Sequence, residues 1–414
     1  VLSATSPELH FDITYRRKVL ALTRGFEQMH TRWKASSPEA ASLVHSRREF
    51  LRLASACTFT ASISSSLPAY ALGTVPGRKV VIVTFGGGAR DEETFAPEGH
   101  ENIPCLLKTL VPQSTFYGQV INRGILGHYV ATSSLATGVY ETFNNFSGVA
   151  PDNPTIFEYF RKALNRPKED TWVISPNNGF RNMRNSSNRR FGPDWGAELI
   201  LPKQLLRAAS PHQQAQDFEW LLRDSYEEPH TTSELPQEEV QLLQLERVLR
   251  LSPEELAQQA RTVSSADDLS VYIARKLMTQ LAPSLLWITL HDVDVAHSGA
   301  YSLYIDGIRR TDRLCLDIWN HIQATPAYQG KTTMLILPDF GRDSDMNPAG
   351  NGFQHHRTGD AASRTTWMMA LGHGVREGVF IERAVESTDL VPTVGKLFGI
   401  DTPLSQGRIL NEVV

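Results

Sequence analysis

Lys79-Val80-Val81-Ile82-Val83-Thr84-Phe85-Gly86-Gly87-Gly88 is an apolar run that stops abruptly at three glycines. The consecutive β-branched residues from Val80 to Thr84 favour extended backbone, and a run with no polar alternation reads as a strand covered on both faces. The glycines then predict a tight turn. Outward from this stretch the same grammar repeats. Ser114–Ile121 and Thr171–Ser175 read as further strands. Leu285–Leu290, Thr332–Leu337 and Thr366–Leu371 are continuous apolar runs of the central-strand type. Helical periodicity falls between them at Thr155–Leu164, Asp267–Leu281, Gly299–Ile322 and Thr388–Phe398. Alternation of this kind predicts an α/β fold, a mostly parallel central sheet with helices on both faces.

Residues 176–265 break the alternation. Asn177 to Arg190 is rich in Asn, Arg and Ser and reads as a long loop; Gln237–Arg250 and Pro253–Arg261 read as charged helices. The segment is expected to be a helical cap inserted within an α/β domain spanning 78–414.

Composition narrows the function classes. The 414 residues are 41% hydrophobic and 21% charged with a formal net charge of −4, which excludes disordered, collagenous and coiled-coil chains. Residues 1–52 carry nine Lys/Arg against five Asp/Glu, and 53–71 carry no charge, so 72–414 holds 32 basic against 40 acidic side chains, a net −8. An acidic body argues against a nucleic-acid partner, whose phosphates call for a basic surplus.

The basic and uncharged segments meet at Ser46-Arg47-Arg48-Glu49-Phe50-Leu51-Arg52. This resembles a twin-arginine export signal, and Ala69-Tyr70-Ala71 supplies the small-x-small pattern of signal-peptide cleavage. Residues 46–71 are therefore expected to be a signal peptide read by the twin-arginine translocase, with an amphipathic surface helix carrying an incidental Arg pair as the plainer alternative. The mature protein is expected in the periplasm or secreted, with no permanent membrane span, because the run is too weakly apolar. Residues 1–45 read as an extension with the true start near residue 45. Cys57 lies too close to the Arg pair for a lipid anchor. Cys105 and Cys315 remain, either paired or as two half-buried thiols.

In open α/β sheets, ligands bind at the carboxyl ends of the strands. Three such ends are dense in polar residues: His291-Asp292-Val293-Asp294-Val295-Ala296-His297 after Leu285–Leu290, Asp339-Phe340-Gly341-Arg342 after Thr332–Leu337, and Gln354-His355-His356 shortly beyond. A lone Asp or His in such a place is more often a helix cap or a solvated loop residue. A set of carboxylates and imidazoles after separate core strands is the oxygen and nitrogen donor mixture that Zn²⁺ or Mn²⁺ prefers. The Gly86-Gly87-Gly88 turn lacks the Lys-Ser/Thr of a P-loop and the spacing of a dinucleotide fingerprint, so nucleotide binding is the weaker reading.

The order of these segments resembles the alkaline phosphatase superfamily, with its sulfatases, phosphodiesterases and phosphoglycerate mutases, over about residues 78–412. Thr388-Asp389-Leu390-Val391-Pro392-Thr393 with trailing Gly399-Ile400 is similar to the closing helix of that family, and Gly407-Arg408-Ile409-Leu410 to its ending. Asp294 to His297, followed by Tyr304 and Asp312, looks like its Asp…His metal motif. Thr332–Gly341 looks like the strand bearing Asp-His-Gly, and Ala136-Thr137-Gly138 like the turn after the nucleophile helix. The resemblance implies a divalent-metal hydrolase of anionic phosphate or sulfate esters. Asp292 or Asp294, His297, Asp339, and His355 or His356 are the implied ligands.

It also exposes departures. Gly86 stands where a first-strand Asp ligand is usual, His128 where a nucleophile is usual (Thr132, Ser133 and Ser134 lie nearby), and Phe340 where a His ligand is usual. All three fall on one of the family's two metal positions, which implies one cation rather than two. His128 is then expected as general base or phospho-acceptor, and Arg90 or Arg342 as the partner of the substrate anion. Asp91, Glu92 and Glu93 are either a displaced carboxylate source or an acidic helix start. The alternative is an inactive relative that serves as a binding or assembly module.

Overall fold

Lys79–Phe85 forms a fully embedded strand, β1, at the middle of a nine-stranded sheet. The computed structural model describes residues 77–209, 218–222, 246–345 and 350–414. The leader readings at 1–71 and the start of the cap helix expected at Gln237–Arg250 lie outside the described residues.

In chain order the other strands are β2 (Ser114–Ile121), β3 (Thr171–Ile174), β4 (Glu198–Ile200), β5 (Leu285–Leu290), β6 (Thr332–Leu337), β7 (Thr365–Gly372), β8 (Val379–Ile381) and β9 (Val385–Glu386). They lie in the order β4-β3-β5-β1-β6-β7-β2-β8, with β9 also on β2. Every pairing is parallel except the two made by β7. The mostly parallel architecture read from the sequence is the one observed. The strands absent from that reading, β4, β8 and β9, are two or three residues long, too short for periodicity to register.

The principal helices are α1 (His128–Thr137), α2 (Ile156–Leu164), α3 (Pro202–Ala209), α4 (Pro253–Ala260), α5 (Ala266–Gln280), α6 (Tyr301–Ala324) and α7 (Leu390–Phe398). Their ends follow local rules. Thr155 caps α2 through a reciprocal box with Glu158, Ser252 does the same for α4 with Glu255, and Gly399 closes α7 in the left-handed conformation. Within 176–265, β4 joins the sheet beside β3, while α3 and α4 are helical. Among the described residues no helix is long and apolar enough to cross a membrane.

The core fills the sheet faces with Val80, Ile82, Leu285, Trp287, Leu335 and Leu337 on one side, packed against α2 and α7. Trp287 is fully buried and donates its indole N–H to Thr84 Oγ1 at 2.7 Å, so its one polar atom is satisfied. Cys105 and Cys315 are both free thiols.

One consequence of register positions the site. Phe85 pairs with Leu290, and Thr84 with Leu337, so β5, β1 and β6 end side by side at nearly one level. The segments beginning at His291, Gly86 and Pro338 therefore emerge together at the centre of the carboxyl edge.

Candidate metal centre at the carboxyl edge

The glycines after β1 permit an unusually close approach. A Cβ on Gly86 would stand 2.1 Å from the Leu290 carbonyl oxygen, and one on Gly87, whose φ is +92°, would stand 2.5 Å from the Asp294 nitrogen. Only backbone without side chains lets the 3₁₀ turn Asp292–Ser298 lie directly on β1. A buried carboxylate fixes that turn from the other side. Asp267, in the first turn of α5 and fully buried, accepts hydrogen bonds from the backbone N–H of His291 and of Asp292 at 2.8–2.9 Å. Burial, then the nearby Asp292 charge, raises its pKa well above the usual carboxylate range.

Four side chains meet above the strand ends. His128, Asp294, His297 and His356 each offer one donor atom, and these atoms all lie within 4.8 Å of one another. His128, the first residue of α1, is buried between two carboxylates. Its Nδ1 lies 2.6 Å from Asp339 Oδ2 and its Nε2 2.9 Å from Asp294 Oδ1. Burial opposes its charge, but Asp294 and Asp339 more than offset that and hold its pKa up at about 9. Burial would by itself raise the Asp294 carboxyl; the neighbouring His128, then His291, hold it well below its ordinary value instead.

His297 Nε2 lies 3.1 Å from Asp294 Oδ1 and 2.9 Å from His356 Nε2. His356 is pushed down to about 2, first by burial and then by the charges of His128, Arg342 and His297. It is thus a neutral imidazole at ordinary pH. Its Nδ1 stands 2.7 Å from the Leu126 carbonyl, which can only accept, so the proton sits on Nδ1 and the Nε2 lone pair faces inward.

The remaining residues expected at the site are placed as follows. Asp292 turns from the cluster and pairs with Arg310 at 2.9 Å. Asp339 reaches it only through His128. His355 contributes backbone bonds to Asp343 and Gly352, and its ring is outside the set of four. Arg342 is fully buried with Nε on the Gly88 carbonyl, Nη1 on the Phe353 carbonyl and Nη2 on Asp294 at 2.7 Å. Arg90 is held by Glu93 and by Asp345 at 2.7 Å. Glu93 also accepts from Tyr304, which accounts for this carboxylate without a ligand role.

No known family profile matches the sequence, and no curated protein does. Among solved structures, the chain is similar to the lipoteichoic acid synthase LtaP from Listeria monocytogenes (12% identity, 81% of this chain and 74% of that one, TM-score 0.48). It is also similar to the phosphonate monoester hydrolase SpPMH from Silicibacter pomeroyi (13%, 80% and 75%, 0.49) and to a protein in the alkaline phosphatase superfamily from Vibrio parahaemolyticus (11%, 81% and 70%, 0.46). Many of the chain's structural neighbours are alkaline phosphatase superfamily members, at low sequence identity.

The donor set suits one divalent cation. Ideal tetrahedral Zn²⁺ with bonds of about 2.0–2.1 Å sets its ligand atoms roughly 3.3 Å apart. The 2.9, 2.9 and 3.1 Å separations found among His128, Asp294, His297 and His356 would open by a few tenths of an ångström around such an ion, and the longer separations, up to 4.8 Å, would close toward it. The outer contacts agree as well. Histidines that bind metals usually give their second ring N–H to a carboxylate or a carbonyl, and here Asp339 and the Leu126 carbonyl take those places.

Among the described residues this is the one group of donors close enough together to hold an ion. Gly86 has no space for a side chain, and Phe340 offers no donor but stacks on His128 (centroids 4.6 Å apart, planes at 26°).

Beside the cluster lies a cavity of about 300 Å³, lined by Asn177, Lys203 and Trp220 from the 176–265 segment and by His291, Asp292, Asp294, Asp306 and Arg310. His291 and Asp267 were not singled out from the sequence. His291 had one usable signal, its place as the first residue past a core strand. Asp267 looked like an ordinary acidic residue in a first helical turn.

Proposed function

We propose that this chain is an exported hydrolase of phosphate or sulfate esters that works with a single Zn²⁺ or Mn²⁺. The reaction class is R–O–PO₃²⁻ + H₂O → R–OH + HPO₄²⁻, or the corresponding sulfate cleavage. The observation that carries the reading is the convergence of His128, Asp294, His297 and His356 at the carboxyl edge, next to a cavity of substrate size.

His128, Asp294, His297 and His356 would hold the cation, which supplies Lewis-acid polarisation and charge neutralisation for the ester oxygens. The chain's own groups do the rest. Asp339 keeps a proton on Nδ1 of His128, turning Nε2 inward, and the Leu126 carbonyl does the same for His356. Arg342, committed to Asp294 and two carbonyls, fixes the ligand carboxylate rather than the substrate. Because both nitrogens of His128 are engaged by carboxylates, direct attack by water is favoured over a phospho-histidine.

A second reading has its own support. Four protein donors make a closed set, the pattern of structural zinc, and the Asp294 and Asp339 charges are already balanced by His128 and Arg342. In that reading the domain is a binding or assembly module.

Elemental analysis of natively purified protein, with a panel of aryl phosphates and sulfates, separates the two. One cation per chain and turnover abolished in His297→Ala support the hydrolase. A cation without turnover supports the structural reading, and no cation and no turnover supports a metal-free module. Export rests on the Arg47-Arg48 segment, and replacement of both by Lys should leave the protein in the cytoplasm.

A further inference from the structure

We infer that the cavity beside the cation ligands receives the alcohol half of the ester, and that this half is a carbohydrate or a similar polyol. The inference rests on the hydrolase reading and goes on to name the class of substrate.

The lining argues against both simpler occupants. Asp292, Asp294 and Asp306 stand against Lys203 and Arg310, so a second anionic group would meet a lining with no positive surplus. Nor is the cavity an apolar slot, because donors (Asn177, Lys203, Arg310) and carboxylate acceptors both line it. A hydroxyl both donates and accepts, so a ring carrying several hydroxyls matches a wall of mixed sign. The volume, about 300 Å³, is at the small end for ligand pockets and suits a single ring.

One further observation points to a ligand. Trp220 leaves 52% of its surface exposed on the cavity wall, presenting a flat apolar face beside polar groups. Such a face is what the C–H side of a sugar ring packs against, as aromatic side chains offer large area at little entropic loss. Three of these wall residues (Asn177, Lys203 and Trp220) belong to the segment that interrupts the α/β alternation, which places the choice of alcohol in the cap.

The test is ligand-observed saturation-transfer NMR on the whole protein, with and without Zn²⁺. The probes are methyl α-D-glucopyranoside, methyl β-D-galactopyranoside and myo-inositol, with cyclohexanol as an equally sized control. Transfer to at least one polyol and little to cyclohexanol is expected. Trp220→Ala should weaken that binding by about fivefold or more with an unchanged melting temperature, and Asp306→Asn, at an exposed position, should weaken it too. No transfer to any polyol, or equal transfer to cyclohexanol that Trp220→Ala leaves intact, overturns the inference. Binding is read without turnover. Polyol binding with no ester hydrolysis sinks the hydrolase reading alone, and aryl phosphate hydrolysis without polyol binding sinks the cavity assignment alone.

Discussion

Gly86→Ala is the smallest substitution that tests the packing behind the proposed single-cation site. Ordinary van der Waals contact begins near 3.4 Å, and the added Cβ would stand 2.1 Å from the Leu290 carbonyl oxygen, so one of the two must move by about 1.3 Å. The oxygen is backbone at the end of β5, opposite Phe85 in the parallel ladder, and no rotamer change can relieve the overlap. Overpacking of this kind costs about 1–3 kcal/mol, and loss of the terminal ladder bond adds about 1 kcal/mol. The reduced freedom of the unfolded chain returns roughly 0.4–1 kcal/mol, leaving a net loss of about 2–3 kcal/mol.

For a domain of this size that is a fall in melting temperature of roughly 5 °C. Asp294 follows Leu290 through one tight turn, so cation affinity should fall as well, by about tenfold or more. Differential scanning calorimetry and chelator competition read the two effects. Gly359→Ala, with nothing within 4 Å of its Cβ, is the neutral control. Gly86→Asp, which puts a carboxylate where the superfamily usually has one, should be no more stable and should gain no second cation. A Gly86→Ala protein that melts with the parent and binds Zn²⁺ as tightly would refute the steric argument.

Three other outcomes follow from the same contacts. His356→Ala removes a donor and should weaken Zn²⁺ binding by more than Asp339→Asn, which removes an outer partner and should cost roughly 10–100-fold; the reverse order in chelator competition would contradict the assigned ligand set. In metal-free protein, His128 has a folded pKa of about 9, so its contribution is complete below the ordinary value of about 6.5 and is lost as pH rises through 9, amounting to about 3 kcal/mol. His356, held down to about 2, has the opposite sign: its contribution is complete above about 6.5 and is lost as pH falls from there. Urea midpoints should therefore peak near pH 6.5, and a midpoint flat from pH 5 to 9 would sink both assignments. Asp267→Ala strips the carboxylate from the His291 and Asp292 amides and should destabilise by roughly 3 kcal/mol, Asp267→Asn by less because one acceptor oxygen remains; an unchanged urea midpoint for the alanine variant would show that the turn is fixed some other way.

The sheet was legible because its central strands β1, β5 and β6 are continuous apolar runs, the first ending at Gly86 and the last at Pro338. Their adjacency was legible only as an expectation about strand ends. The site was partly legible for the same reason. Asp294, His297 and His356 lie in strand-end clusters visible in the sequence, and His128 emerged by counting back from Thr137-Gly138. What one dimension could not separate were near neighbours. Asp292 and Asp294 are two residues apart in a 3₁₀ turn and face opposite ways, one to Arg310 and one to the cluster. His355 and His356 are adjacent, and only the second has Leu126 beside it. Partners such as Asp267 for His291, 24 residues apart, leave no local pattern at all.

Gly86, His128 and Phe340 depart from the superfamily pattern at three distant points in sequence, yet in space they form one rearrangement. Glycine lets the Asp292–Ser298 turn settle on β1, which brings Asp294 to within 2.9 Å of His128. His128 then bridges Asp294 and Asp339 and carries the positive charge that those two carboxylates need. Phe340 closes the arrangement by stacking on that imidazolium, an aromatic face against a cation where a donor would otherwise have stood. Restoring any one family residue alone would therefore not restore the second cation. An Asp at 86 has no room, a His at 340 would meet a protonated ring, and loss of His128 would remove the imidazolium that the buried Asp294 and Asp339 carboxylates share. A single cation held by His128, Asp294, His297 and His356 would avoid this conflict, because the His128 Nε2 would give up its proton while Nδ1 keeps its contact with Asp339.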